Sequence, residues 1–169
     1  KRQPLKVKNL IENHGIKKYD LRFAWMIKPV ENGYVVKLGE FGVMRERFAH
    51  TGIDIVPVGS LICKSSTDGI VKRVGCDWLG GNYIIIETEK DNKKYEIYYG
   101  HLDRIDVAAE QEIKQGDRIG IIGDTGKLCL GKHLHWTIKE NGIIINPVIS
   151  TTWHKFPIPT AIKKGKVIF

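Results

Sequence analysis

The stretch from 131 to 136 reads GKHLHW and places His133 and His135, two of the chain's six histidines, one residue apart. In an extended segment the side chains at i and i+2 share a face, about 6.6–6.8 Å apart along the strand, so both imidazoles look into the same space. Two other histidines stand in distinctive settings: His50 precedes Asp54 in HTGID, and His101 sits in YYGHLD. Imidazole and carboxylate are natural ligands for Zn²⁺, and a catalytic zinc site needs three protein ligands with a fourth position open for water. His50, Asp54 and one histidine of HLH make such a set, and the spacing alone leaves open which histidine it is. An H-x-x-x-D pair would share one face of a helix. The following TGIDIVPV, with its glycine, β-branched residues and proline, reads instead as loop entering strand, so His50 and Asp54 must meet through a turn.

The elements that hold these residues are strands. From about residue 26 the sequence consists of short β-branched runs broken by glycine, among them GYVVKL, GIDIVPV, NYIIIETE, KYEIYYGHL and GIIINPV. Asp91-Asn92 and Asn141-Gly142 each lie between two such runs as hairpin signals, and IKQGDRIG carries a Gly-Asp turn. The pattern predicts a mainly β protein of antiparallel strands folded back on themselves, with little helix. A short helix is expected around Lys6 to Asn13, closed by Gly15 in a left-handed conformation. Residues 151–169, with prolines and lysines, read as a peripheral C-terminal extension.

Bulk properties bound the rest. At 169 residues the chain fits one domain with a core of its own, and no apolar run approaches the roughly 20 residues that span a bilayer. The three cysteines, Cys63, Cys76 and Cys129, have no C-x-x-C spacing and read as structural thiols. A net charge of +8 favours an anionic partner. The basic residues are scattered pairs such as Lys17-Lys18 and Lys93-Lys94, without the basic helix or aromatic-basic motif of a specific nucleic-acid module. GIIGDTGK departs from a phosphate-binding loop, which needs a glycine where Ile121 stands and Ser or Thr where Leu128 stands.

Taken together, RFAHTGIDI, GHLD, QGDRIGIIGDTG and GKHLHWTIKENGIIINP resemble, in order, the successive motifs of the M23 family of zinc metallopeptidases, the LytM and lysostaphin-like peptidoglycan endopeptidases. The resemblance covers about residues 26–149, leaving 1–25 as an N-terminal extension and 150–169 as a C-terminal one. It implies the LytM/lysostaphin fold: an antiparallel β-sheet groove with a second small β-layer. It also implies that His50, Asp54 and His135 bind one Zn²⁺ per chain, and that His101 and His133 are catalytic histidines facing the bound water and the scissile carbonyl. One departure bears on substrate preference: where the family has S-T-G-P-H-L-H, this chain has the bulkier LCLGKHLH.

The function so implied is zinc-dependent hydrolysis of peptide bonds in bacterial peptidoglycan, in the stem peptide or cross-bridge. The protein would then act at the cell wall, whether secreted, periplasmic or virion-associated, and its charge would suit anionic wall polymers. The alternative is a catalytically inactive LytM-like module that binds wall or regulates another hydrolase. Such modules typically lack metal ligands, which are present here. The start at Lys1-Arg2, the unpaired cysteines and the lysine- and isoleucine-rich composition suggest a lytic domain of a larger chain or virion assembly, such as a phage tail or wall-penetrating protein.

Overall fold

The computed structural model describes residues 25–147 and 161–168; the helix expected over Lys6 to Asn13 lies outside them. The regular structure of the described chain is almost entirely strand. In order it forms β1 (Gly33–Val35), a single 3-10 turn (Lys37–Gly39), β2 (Met44–Arg45), β3 (Phe48–Ala49), β4 (Ile53–Pro57) and β5 (Ile62–Lys64). The long strands β6 (Gly69–Asp77), β7 (Gly81–Lys90) and β8 (Lys93–Ile105) follow, then β9 (Glu112–Ile113), β10 (Arg118–Ile122), β11 (Leu134–Glu140) and β12 (Ile143–Ile145). A last hairpin, β13 (Ala161–Lys163) and β14 (Lys166–Ile168), ends the series.

The main sheet runs β14-β13-β12-β11-β8-β7-β6-β9, with β4 and β1 branching from β11, and β10 and β5 branching from β8. The small second sheet is the β2–β3 hairpin. The described part of the C-terminal segment therefore adds edge strands, pairing Ile144 with Ile162. Among the described residues no helix is long and apolar enough to cross a membrane.

Turn chemistry sets the registers. Asp91 and Asn92 take φ 51° and 60° between the paired Lys90 and Lys93, and Asn141 and Gly142 take φ 48° and 79° between Glu140 and Ile143. Both are two-residue turns with positive φ at both central positions, whose twist matches that of the flanking strands. With register fixed, the period-2 alternation sorts side chains to two faces. Ile84 and Ile86 of β7, Ile97 and Tyr99 of β8 and Leu134, Trp136 and Ile138 of β11 are buried in the core. Removing each such Leu or Ile side chain from water is worth about 1.5–3 kcal/mol. The alternate residues, Ile85 and Tyr98 with His135 and Lys139, are left on the other face.

Candidate metal centre

Strand pairing places the first histidine and the carboxylate. In β11, His135 stands opposite Asp54 of β4 on one side and Gly100 of β8 on the other. His50 lies just before β4; its N–H donates to the Val43 carbonyl (2.9 Å), and its own carbonyl accepts from Gly42 (2.8 Å). The chain then turns through Thr51 and Gly52, as the sequence required. Gly52 allows that turn to press on β11, because a Cβ there would lie 2.4 Å from the Trp136 carbonyl oxygen.

These elements bring three donor atoms to one point. His50 Nε2 lies 3.0 Å from His135 Nδ1 and 3.1 Å from Asp54 Oδ1, and His135 Nδ1 lies 2.9 Å from the same Oδ1. Three ligands on one face of a tetrahedral zinc site stand roughly 3.3 Å apart at ordinary bond lengths, so the trio is close to that spacing. The ring nitrogens on the far side support the same use. His50 Nδ1 is 3.0 Å from the Glu40 carbonyl, which can only accept, so Nδ1 carries the proton and Nε2 presents its lone pair inward. Thr137 Oγ1, 3.0 Å from His135 Nε2, can accept that ring proton and free Nδ1. Burial works against the Asp54 anion, but hydrogen bonds and charge from His135 and His50 prevail and hold its carboxyl well below the usual range. Burial holds the His135 imidazole below its ordinary value despite Asp54, which favours the neutral, metal-binding form. The donor set therefore fits Zn²⁺.

The other two histidines flank this trio. His133 lies just outside β11, yet its Nε2 is 3.6 Å from Asp54 Oδ1, so both imidazoles of HLH do share one space. Its Nδ1 donates to the Gly131 carbonyl at 2.8 Å. His101 has φ 62° where the pairing of β8 slips against β7, between Tyr99 and Leu102. A side chain held in left-handed backbone at a bulge is re-aimed out of its strand's alternation. His101 Nδ1 donates to the Thr125 carbonyl at 2.8 Å, and its ring lies 4.7 Å from that of His133, edge to face. Burial, with the nearby His133, pushes the His101 pKa down against the hydrogen bond to Thr125. A groove of about 420 Å³ starts at His135 and runs over Tyr98, Ile85 and Lys139 on the outer face of the sheet.

The sequence from 48 to 147 matches the model of Peptidase family M23. The chain belongs to peptidase family M23. Among similar M23 proteins, the peptidoglycan DD-endopeptidase ShyC of Vibrio cholerae is 39% identical over 100 residues, 59% of this chain and 22% of that protein. The DD-carboxypeptidase/endopeptidase Mpg of Neisseria meningitidis is 33% identical over 120 residues, 71% of this chain and 26% of that one. The chain thus spans about a quarter or less of these relatives' length. A zinc-containing peptidase from Vibrio cholerae superposes with a TM-score of 0.58 at 28% identity, over 78% of this chain and 39% of that one.

Several residues of this M23 site were not singled out by sequence reasoning. Arg45, in MRERFAH, reaches Asp54, and Glu40 and Thr137 serve the candidate metal donors His50 and His135 from behind. Thr125, in the GDTG turn, holds His101; that motif was visible, but its glycines suggested only a tight turn. The bulky LCL divides its side chains. Leu128 lines the groove, Leu130 is exposed, and the Cys129 thiol lies 3.5 Å from His133 Nδ1. Cys129 makes a second donor group with His101 and His133, but burial, with Asp124 and Asp54 nearby, pushes its thiol up to about 11. At neutral pH it is an S–H, hydrogen-bonded to the Gly131 carbonyl, and not a thiolate nucleophile.

Proposed function

We propose that this M23 domain is a zinc-dependent endopeptidase that hydrolyses peptide bonds of bacterial peptidoglycan, in the stem peptide or cross-bridge, at the cell wall. The observation that carries the reading is the convergence of His50, Asp54 and His135 on a single point, Asp54 Oδ1, with the His133 and His101 rings beside it. Relatives named as peptidoglycan DD-endopeptidases support the substrate.

In this reading His50, Asp54 and His135 hold one Zn²⁺. When bound, zinc supplies a Lewis acid for the scissile carbonyl and lowers the pKa of a bound water. The chain's own contribution is proton handling. Because Gly131 and Thr125 carbonyls fix the Nδ1 protons of His133 and His101, each ring keeps Nε2 free to accept a proton. Burial keeps His101 neutral near pH 7, the form a general base requires. Once charged, either imidazolium can return its proton to the departing amine. The net charge of +8 suits a wall carrying anionic polymers, through an attraction that salt weakens.

The test is digestion of purified peptidoglycans of different cross-bridge types, with and without chelator, followed by mass analysis of the fragments. Chelator-sensitive release of peptide fragments is the expected outcome. A fully zinc-loaded protein that cuts none of the walls would overturn the reading, and retained wall binding would then point to a non-catalytic module.

A further inference from the structure

The groove floor holds a side chain whose polar end has no partner among the described residues. Tyr98, on β8 between Ile85 of β7 and Thr137 of β11, lines the groove. Its ring meets His135 edge-on at 6.0 Å between centroids and stacks on Tyr83 at 5.3 Å. Its volume is kept clear by absent side chains. A Cβ on Gly100 would lie 2.5 Å from the Tyr98 ring, and one on Gly80 would lie 2.4 Å from its hydroxyl. A Cβ on Gly75 would lie 2.8 Å from the supporting Tyr83. β6, β8 and the β6–β7 turn thus all yield space to this aromatic pair.

The hydroxyl is also distinct from its neighbours. On the opposite, core face of β8, Tyr99 accepts a hydrogen bond from the Ser66 N–H at 2.9 Å, and Tyr95 donates to Glu140 at 2.9 Å. The Tyr98 hydroxyl makes no hydrogen bond to any described residue. Burial, with Asp77 and Tyr83 nearby, pushes its pKa upward, so the O–H remains a donor across the physiological range. A half-buried donor without a protein acceptor, on the floor of a groove that begins at the metal donors, is a group free to orient a ligand.

We infer that Tyr98 is a substrate-binding residue of this site, its hydroxyl donating a hydrogen bond to a backbone carbonyl of the peptide lying along β8 and β11. The inference rests on the peptidase reading and adds to it a specific contact beside the zinc ligands. A hydrogen bond of this kind is worth about one order of magnitude in binding.

The experiment compares wild type and Tyr98→Phe, both zinc-loaded, on a soluble cross-linked muropeptide. It also measures binding of that peptide by calorimetry in the inactive His133→Ala background with and without Tyr98→Phe. Expected are unchanged zinc content and Tm, an increase of roughly tenfold in KM with kcat within about twofold, and a similar loss in binding. KM and binding within twofold of the parent would overturn the inference while leaving the peptidase reading intact. A large loss of Tm with KM unaltered would also overturn it, by showing that the hydroxyl serves the fold. Absence of cleavage by zinc-loaded wild type would instead overturn the peptidase reading, and this inference with it.

Discussion

Arg45 takes one oxygen of the Asp54 carboxylate and leaves the other to the histidines. Its Nη2 lies 2.6 Å from Oδ2, whereas His50, His135 and His133 approach Oδ1 at 3.1, 2.9 and 3.6 Å. The same Nη2 donates to the Leu38 carbonyl at 3.0 Å, so one guanidinium ties the β2–β3 hairpin and the turn before it to the candidate metal centre. Residues that orient a metal ligand from behind typically contribute 10–100-fold in metal affinity. Arg45→Ala is expected to weaken zinc binding by about that factor in competition with a chromophoric chelator. Arg45→Lys should recover part of it, because an ammonium lacks the planar fork of a guanidinium. Affinities equal to wild type in both variants would show that Asp54 needs no such support.

The two histidines of HLH are expected to fail in different ways. His133→Ala should keep close to stoichiometric zinc and lose cleavage by about 10²–10⁴-fold, the usual worth of a general acid or base. His135→Ala should lose the metal itself. Equal metal loss in the two variants, measured by elemental analysis after dialysis, would show that the division of labour is wrong.

Acid should affect activity and metal-free stability separately. Because burial lowers the His101 pKa, the acid limb of the kcat/KM profile is expected below the ordinary imidazole value of about 6.5. Without metal, His135 and Asp54 both bind protons less tightly folded than unfolded. Their stabilisation is therefore complete above about pH 6.5. It declines as His135's unfolded-state site fills and is lost further through the carboxylate range. Thermal melts of chelated protein should show Tm falling as pH is lowered below about 6.5; a Tm flat down to pH 4 would contradict the shifts.

Thr125 is expected to matter more than its place in a turn suggests. Its hydroxyl accepts from the Asn82 N–H at 3.0 Å and donates to the Leu102 carbonyl at 2.7 Å, while its own carbonyl fixes His101. Thr125→Val keeps the shape and removes both hydroxyl bonds, which should cost about 1–3 kcal/mol by denaturant unfolding. Cleavage should fall with zinc content unchanged, since the residue serves His101 and not the metal donors. A variant as stable and active as wild type would show that the hydroxyl is dispensable.

Local rules carried the sequence reading a long way. The two hairpin turns and the turn between His50 and Asp54 depend on a few adjacent residues, and the structure has them where Asp91-Asn92, Asn141-Gly142 and Gly52 predict. What was not legible depends on distant parts of the chain. His101 sits within a strand whose alternation would not by itself aim it at His133; the slip of β8 against β7 does so. Glu40 and Gly131 act through carbonyl oxygens that every residue type possesses, so no side-chain pattern can announce them.

The pairing of β11 couples the interior to the candidate site. Leu134 and Trp136 face the core while His135, between them, faces Asp54, so the same register packs the interior and assembles the donor trio. A slip of one residue would turn Trp136 outward and bury His135. A misaligned chain has neither a proper interior nor an assembled donor trio, so packing and the candidate site form or fail together.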